Sequence, residues 1–159
     1  PTHINRTAAL FEDGLRFARE GGRIDFTTST TPELLAGGEV PASEAVARAL
    51  KARIEPSQLS LSSDANASLP EFDDQHRFIG LKPGKLSSLF EVLGECVNDH
   101  QISMEHALRC ASTTAADALK LPQKGRLQPG ADADFIVLSE QGWAIDHVWA
   151  LGKPIFSAS

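Results

Sequence analysis

Long apolar runs and clusters of basic residues are both missing from this sequence. No uninterrupted apolar stretch approaches the roughly 20 residues that a membrane-spanning helix needs. The opening residues, PTHINR, have neither the basic nor the apolar segment of a secretory signal. The formal charge is −6, from 15 Lys+Arg against 21 Asp+Glu, and no Lys/Arg run offers a surface for nucleic acid or anionic lipid. We therefore expect neither a nucleic-acid nor a membrane partner.

Cysteine is also scarce. The two cysteines, Cys96 and Cys110, show no CxxC or Cys/His spacing of the kind that binds structural zinc. This usage predicts two reduced thiols, packed as small core residues, in the reducing cytoplasm.

Several motifs that carry chemistry are absent as well. There is no GxGxxG, no P-loop and no GxSxG, so nucleotide binding and serine-hydrolase chemistry have no local support. The later histidines lack the H-x-H or i, i+4 spacing of a metal site; they are His76, His100, His106 and His147.

The patterns that are present predict an α/β protein. Its 159 residues are 42% hydrophobic, which is typical of one folded domain. Helical spacing alternates with β-branched runs, and this alternation is a βα pattern. The predicted order is a helix over 10–20, a strand over 23–28, a loop over 30–41, a helix over 43–54 capped by Ser43, and a strand over 59–64.

The second half of the sequence changes in character. Residues 66–83 are polar with little periodicity, which predicts a surface excursion. Two helical segments follow, and the second, capped by Ser103, is expected to break near Ser112. After Pro122 the chain is rich in β patterns and turns, so we place a domain boundary near Lys120.

Four residues are candidates for chemistry. His3 could bind a metal, or it could be an exposed histidine. Asp64 follows a predicted strand, where a βα barrel carries its active site, although an Asx turn or helix cap explains it equally well. Arg6 could bind a substrate carboxylate or simply be solvated, and Ser68 could contact substrate or be an ordinary loop serine.

Three strings give these candidates a common context. PTHINR, LFEDGLRFAREGGRIDFTT and LSSDANAS, in this order and spacing, resemble the isoaspartyl (β-aspartyl) dipeptidases of the amidohydrolase superfamily. The tail, with ASTTAADALKL, GRLQPGADADFIVL and VWALGKPIF, is similar to the C-terminal end of many superfamily members. The resemblance covers essentially the whole chain but only the C-terminal part of the family's length.

The resemblance implies a fold. Residues 1–120 would be the C-terminal part of a catalytic (βα)8 TIM barrel of the metal-dependent hydrolases, and residues 121–159 would be strands of a small β-sandwich domain. It also implies a zinc-dependent hydrolase that cleaves β-aspartyl dipeptides with a metal-bridging hydroxide. Family members form homo-oligomers.

The resemblance implies roles for the four candidates. His3 would bind one zinc of a binuclear centre, and Arg6 would bind a substrate carboxylate. Asp64 would bind zinc and transfer the hydroxide's proton as the catalytic residue, and Ser68 would contact substrate. This sequence has Ala65 and Ala67 where the family has glycines.

The family's other metal ligands all precede the PTH string. We therefore expect this polypeptide alone to be inactive, with the N-terminal half of the barrel supplied by the same or another chain. Two alternatives stay open: another amidohydrolase, of the dihydroorotase or hydantoinase kind, and a non-catalytic assembly fragment.

Overall fold

The computed structural model describes residues 1–139 and 143–158. Contacts divide the chain into two units, Pro1–Ala111 and Ser112–Ser159. The second unit begins at Ser112, eight residues before Lys120. The assignment of 1–120 to a barrel and 121–159 to a β domain stays a prediction.

The first unit alternates helices and strands, as the sequence patterns predict. Its elements are α1 (Ala8–Arg19), β1 (Ile24–Thr27), α2 (Pro32–Ala36), α3 (Ala42–Lys51), β2 (Leu59–Ser62), β3 (Ser68–Phe72), β4 (Phe78–Pro83), α4 (Ser88–Asn98) and α5 (Met104–Ala111).

Strands β1 and β2 form a parallel pair. Ile24 is opposite Leu59 and Thr27 is opposite Ser62. Helices α2 and α3 lie between the two strands along the chain, so this is the crossover connection that a parallel pair requires. The carboxyl ends of both strands consequently meet at one edge, close to Thr27 and Ser62.

The two faces of this pair differ in chemistry. One face consists of apolar side chains that are almost completely buried, and α1 and α3 contact β1 while α5 contacts β2. The rings of Phe11 on α1 and Phe26 on β1 lie 5.9 Å apart. The strand residues on this buried face are Ile24, Phe26, Leu59 and Leu61.

The opposite face is polar and centres on Asp25. Its Oδ1 accepts a hydrogen bond from Ser60 Oγ at 2.7 Å, and its Oδ2 accepts from Ser62 Oγ at 2.5 Å and from Thr2 Oγ1 at 2.8 Å. Three hydroxyl donors satisfy this half-buried carboxylate, which is why an acidic residue is tolerated in the strand.

Two local predictions in residues 30–54 are wrong. The segment 30–41 contains the short helix α2, because Thr31 Oγ1 accepts from the Leu34 amide at 3.3 Å and Pro32 fits the first helical turn. Ser43 is not the cap of α3, since that helix already begins at Ala42. Ser43 instead donates a 2.7 Å hydrogen bond to Glu95 Oε2 on α4.

The polar excursion over 66–83 is a β-hairpin rather than an irregular loop. Strands β3 and β4 pair antiparallel, with Ser68 opposite Pro83. In the turn, Asp73 Oδ1 accepts from the amides of Gln75 and Arg77, and these bonds, led by the one from Arg77, lower the pKa of Asp73. The hairpin was not predicted because most of its side chains are exposed, so the sequence there is polar and acidic instead of alternating between apolar and polar residues.

The second unit comprises α6 (Thr113–Ala118) and the antiparallel strands β5 (Phe135–Leu138), β6 (Ile145–Ala150) and β7 (Lys153–Ser157). The predicted helix break near Ser112 and the β-rich tail are both confirmed. The rings of Phe135 and Trp149 stack across β5 and β6 at 5.6 Å. None of the helices in the described ranges has the length and hydrophobicity that crossing a bilayer would require.

Candidate functional site

The first residues of the chain lie alongside β1 and bring His3 to its carboxyl end. The Asp25 amide donates to the Pro1 carbonyl at 3.0 Å, and the Ile4 amide donates to the Asp25 carbonyl at 3.2 Å. His3 Nδ1 is hydrogen-bonded to Thr27 Oγ1, the last residue of β1, at 2.6 Å. The ring is therefore fixed at the strand edge through one of its nitrogens.

Asn5 attaches this segment to the rest of the unit. The residue is completely buried. Its Nδ2 donates to the carbonyls of Thr27 at 3.1 Å and Val40 at 3.0 Å, and its Oδ1 accepts from the Thr27 amide at 2.8 Å. Three hydrogen bonds from one side chain hold the residues on either side of it, including His3 and Arg6, in place.

The structure brings three of the four candidates together. Asp64 Oδ2 lies 4.0 Å from His3 Nδ1 and 3.9 Å from Arg6 Nη2. Asp64 follows β2 and His3 adjoins the end of β1, so the shared edge of two parallel strands produces the cluster. The side chains of Asp64 and His3 are 33% and 41% exposed, which leaves both accessible to a small ligand.

Both ends of this cluster have unusual backbone conformations. His3 has φ of 59° and Asp64 has φ of 49°, in the left-handed region that non-glycine residues seldom occupy. Asn66 also has a positive φ, of 64°, but neither Ala65 nor Ala67 does. Alanine at these two positions therefore introduces no left-handed strain, although the family has glycines there.

Arg6 has a second carboxylate partner. Its Nη1 donates to Glu39 Oε2 at 2.8 Å and to the Ser29 carbonyl at 3.1 Å. Glu39 has only 1% of its side chain exposed. No sequence pattern indicates this contact, because Glu39 lies in a glycine-containing segment without a recognisable motif.

Ser68, the fourth candidate, lies apart from these contacts. It is the exposed first residue of β3, and no described hydrogen bond or ion pair joins it to His3, Arg6 or Asp64. Its role as a substrate contact stays a prediction. His76 lies in the hairpin turn, where its side chain is exposed, as the acidic surroundings predict.

A cavity of about 360 Å³ adjoins Arg6, because its lining includes Ser29, whose carbonyl accepts from Arg6 Nη1. Its lining includes Ser29, Leu69, Lys82 and Glu91 but none of His3, Arg6 and Asp64. Lys82, Lys85, Glu91 and Glu95 also line this cavity, whereas the three candidates for the predicted chemistry meet at the strand edge outside it.

The two cysteines are free and buried, as predicted. Burial raises the pKa of both Cys96 and Cys110 to about 12. Neutral buried thiols are poor nucleophiles and poor metal ligands, so neither cysteine contributes to the site.

A comparison with models of known protein families gives a match over most of the chain. The family model of the amidohydrolase family matches residues 6–150 of this sequence. The chain belongs to the amidohydrolase family.

Solved structures of amidohydrolases extend this assignment. The chain is similar to the β-aspartyl dipeptidase of Fervidobacterium islandicum AW-1 in complex with β-Asp-Leu, with 33% identity, a TM-score of 0.82, and coverage of 99% of this chain and 40% of that chain. A second structure of the β-aspartyl dipeptidase from that organism gives 27% identity, a TM-score of 0.78, and coverage of 99% and 37%.

A more distant structure shows the fold alone. It is the N-acetylglucosamine-6-phosphate deacetylase of Thermotoga maritima, at 14% identity with a TM-score of 0.65, covering 92% of this chain and 41% of that chain. This chain thus spans about 40% of the length of the dipeptidase that it matches. The resemblance noted from the PTHINR and LSSDANAS strings is confirmed at the level of family and fold.

Amidohydrolases are generally metal-dependent, and the donors at the strand edge fit part of a metal site. Zinc takes imidazole nitrogen and carboxylate oxygen as ligands. His3 and Asp64 supply these donor types, and because Nδ1 of His3 is bonded to Thr27 Oγ1, the ring nitrogen available to a metal is Nε2. Across residues 1–139 and 143–158, no group of three or more His, Cys, Asp or Glu side chains is arranged so that it could hold a metal ion. These two residues therefore fit as a portion of a ligand set.

Proposed function

We propose that the complete enzyme is a zinc-dependent dipeptidase that hydrolyses β-aspartyl dipeptides. By the complete enzyme we mean this chain together with the polypeptide that supplies the remaining barrel strands, from the same or another chain. The observation that carries the proposal is 33% identity across 99% of this chain with a β-aspartyl dipeptidase whose structure contains β-Asp-Leu.

The charges at the strand edge support this substrate class. A β-aspartyl dipeptide carries a free α-carboxylate on the aspartyl residue and another at its C-terminus. Arg6 directs Nη2 towards the cluster, and a guanidinium is the side chain best suited to bind a carboxylate through paired hydrogen bonds. We assign Arg6 to one substrate carboxylate, held beside Asp64.

Asp64 is assigned to proton transfer. Its partly exposed carboxylate lies between His3 and Arg6, so it adjoins both the proposed metal ligand and the proposed substrate anchor. A carboxylate in this position can accept a proton from the attacking water and return it to the amine that leaves when the amide bond breaks.

His3 and Asp64 would hold zinc, together with ligands from outside these residues. When bound, zinc supplies a nucleophile near neutral pH and polarises the amide carbonyl. Thr27 fixes the His3 ring through Nδ1, in the manner of an outer-shell group that orients a ligating histidine.

Native mass spectrometry of the purified protein, with zinc analysis, tests whether the enzyme is complete. We expect zinc only when the polypeptide that carries the remaining ligands is present, and the same spectrum gives the size of the homo-oligomer. A 17.1 kDa chain that binds two zinc ions alone would contradict the proposal.

Turnover tests the chemistry. Asp64→Asn in the complete enzyme should lower kcat for β-Asp-Leu by about 10²–10⁴-fold, because proton transfer is lost. Arg6→Met should mainly raise KM, by about ten- to a hundredfold, because a carboxylate contact is lost. Matched controls are Asp74→Asn and Arg19→Met, which change exposed residues of the hairpin turn and α1.

The substrate panel distinguishes the alternatives. Hydrolysis of hydantoin or dihydroorotate in place of β-Asp-Leu would assign the chain to another amidohydrolase. No zinc-dependent turnover of any of these substrates by the complete enzyme would favour a non-catalytic assembly role. Unchanged kcat for Asp64→Asn would refute the proton-transfer role.

A further inference from the structure

The guanidinium of Arg6 forms an ion pair with the buried carboxylate of Glu39. We propose that Glu39 is a positioning residue, which orients Arg6 so that Nη2 points to Asp64 and is available to a substrate carboxylate. This inference rests on the proposed function, because it concerns how Arg6 binds substrate.

The two terminal nitrogens of Arg6 have different surroundings: Nη1 is bonded to protein oxygens, and Nη2 faces Asp64. Nη1 has two hydrogens, and it donates to two protein oxygens, Glu39 Oε2 at 2.8 Å and the Ser29 carbonyl at 3.1 Å. Nη2 lies 3.9 Å from Asp64 Oδ2, beyond hydrogen-bond distance. The guanidinium plane is therefore fixed through Nη1, and Nη2 retains donor capacity on the side of the cluster.

The backbone around Glu39 fixes the carboxylate in turn. The Glu39 amide donates to the Leu34 carbonyl at 3.0 Å, and the following Val40 amide donates to the Asn5 carbonyl at 2.9 Å. Asn5, which precedes Arg6 along the chain, also donates from Nδ2 to the Val40 carbonyl at 3.0 Å. Two hydrogen bonds between Asn5 and Val40 therefore join the segments that carry the two charges. This arrangement gives the ion pair little freedom to change its geometry.

Burial makes the pair strongly dependent on both partners. The Glu39 side chain is 1% exposed and that of Arg6 is 22% exposed. Within the described residues, Glu39 Oε1 is a buried side-chain atom without a hydrogen-bond partner. A buried carboxylate with one unsatisfied oxygen is costly, and Arg6 is the cation that compensates its charge.

A structural salt bridge would not need this asymmetry. If Glu39 served only to anchor the segment after α2, a bidentate pair using both Nη atoms would be more stable. The observed pair instead occupies Nη1 alone and leaves the neighbouring nitrogen towards the accessible cluster. The geometry suits an arginine prepared for a second carboxylate.

The experiment is a double-mutant cycle in the complete enzyme, with wild type, Glu39→Gln, Arg6→Met and the double variant. Glutamine retains the shape and an acceptor but removes the charge that aligns Arg6. The control is Glu44→Gln, the same change at an ion pair on α3, where Glu44 Oε1 lies 3.5 Å from Arg48 Nη1. The readouts are KM and kcat for β-Asp-Leu, bound zinc, and the melting temperature.

We expect Glu39→Gln to raise KM about tenfold, with kcat within about twofold and zinc content unchanged, as expected for a misaligned substrate anchor. In the Arg6→Met background the same change should leave KM unaltered. A KM for Glu39→Gln equal to that of Glu44→Gln, or an equal rise in both backgrounds, would overturn the inference.

The melting temperatures separate this inference from the proposed function. Arg6→Met leaves a buried carboxylate uncompensated, so adding Glu39→Gln should raise the melting temperature again. Additive decreases would overturn the pairing. If the double variant shows this rescue but the wild-type enzyme does not hydrolyse β-Asp-Leu, the proposed substrate is refuted and the Arg6–Glu39 pair is retained.

Discussion

Replacing Asn5 by alanine should disconnect the segment that carries His3 and Arg6. The Asn5 side chain makes three hydrogen bonds, at 2.8–3.1 Å, to backbone groups of Thr27 and Val40. Because Asn5 is completely buried, these partners have no access to bulk solvent in the folded protein. The Thr27 amide and two carbonyls would lose a partner together.

The magnitude follows from these contacts. Each hydrogen bond contributes about 1 kcal/mol net, and a buried group left unsatisfied costs about 1–3 kcal/mol. Three groups left unsatisfied therefore predict a loss of at least about 3 kcal/mol in local stability. The matched control is Asn98→Ala, at the exposed last residue of α4, which should change stability by about 0.5 kcal/mol or less.

Hydrogen exchange gives a local assay that requires no two-state unfolding. The Thr27 amide donates directly to Asn5 Oδ1, so its protection should fall by about a hundredfold or more in the variant. Amides of α4 serve as an internal reference. Thr27 protection within about threefold of wild type would refute the assignment of Asn5 as the residue that attaches this segment.

Two further predictions concern packing and the thiols. Gly14→Ala on α1 should lower stability by about 1–3 kcal/mol, because the added methyl would overlap the Ile4 side chain. This overlap costs more than the roughly 1 kcal/mol that alanine gains over glycine in a helix. Chemical denaturation measures the loss, with Gly80→Ala as the control because a methyl there meets no neighbour. Cys96 and Cys110 should resist iodoacetamide at pH 8 in the folded protein and react after denaturation, because burial raises the pKa of both thiols to about 12 and keeps them protonated; mass spectrometry of the labelled chain measures it, and rapid labelling of the native protein would contradict it.

The periodicity of the sequence predicted the elements that have a continuous apolar face. Helix α1 and strands β1 and β2 agree with prediction to within a few residues, because Phe11, Phe26 and Leu59 share one buried layer. The β3–β4 hairpin was missed because it has no such apolar face. Its side chains are largely exposed, so strand formation there depends on backbone pairing and on the Asp73 turn rather than on burial.

The candidate site was predictable where motif and topology coincide. His3, Arg6 and Asp64 belong to strings that resemble a family, and two parallel strand ends bring them to one edge. Glu39 was not predictable, because its contact with Arg6 depends on how the segment after α2 folds back over a separation of 33 residues. Pattern reasoning detects local periodicity and cannot detect a single long-range ion pair.

The hairpin also explains how Asp64 keeps its left-handed conformation. A non-glycine residue at φ of 49° is strained by about 1–3 kcal/mol, so surrounding contacts must hold it. Gly84, directly after β4, supplies them: its carbonyl accepts from the Asn66 amide at 3.1 Å, and its amide donates to the Ala67 carbonyl at 2.9 Å. A Cβ at Gly84 would lie 2.9 Å from the Asp64 carbonyl oxygen, so only glycine allows this close approach. The end of the hairpin at Gly84 is thus bonded to the loop after Asp64, and these bonds help to fix the carboxylate between His3 and Arg6.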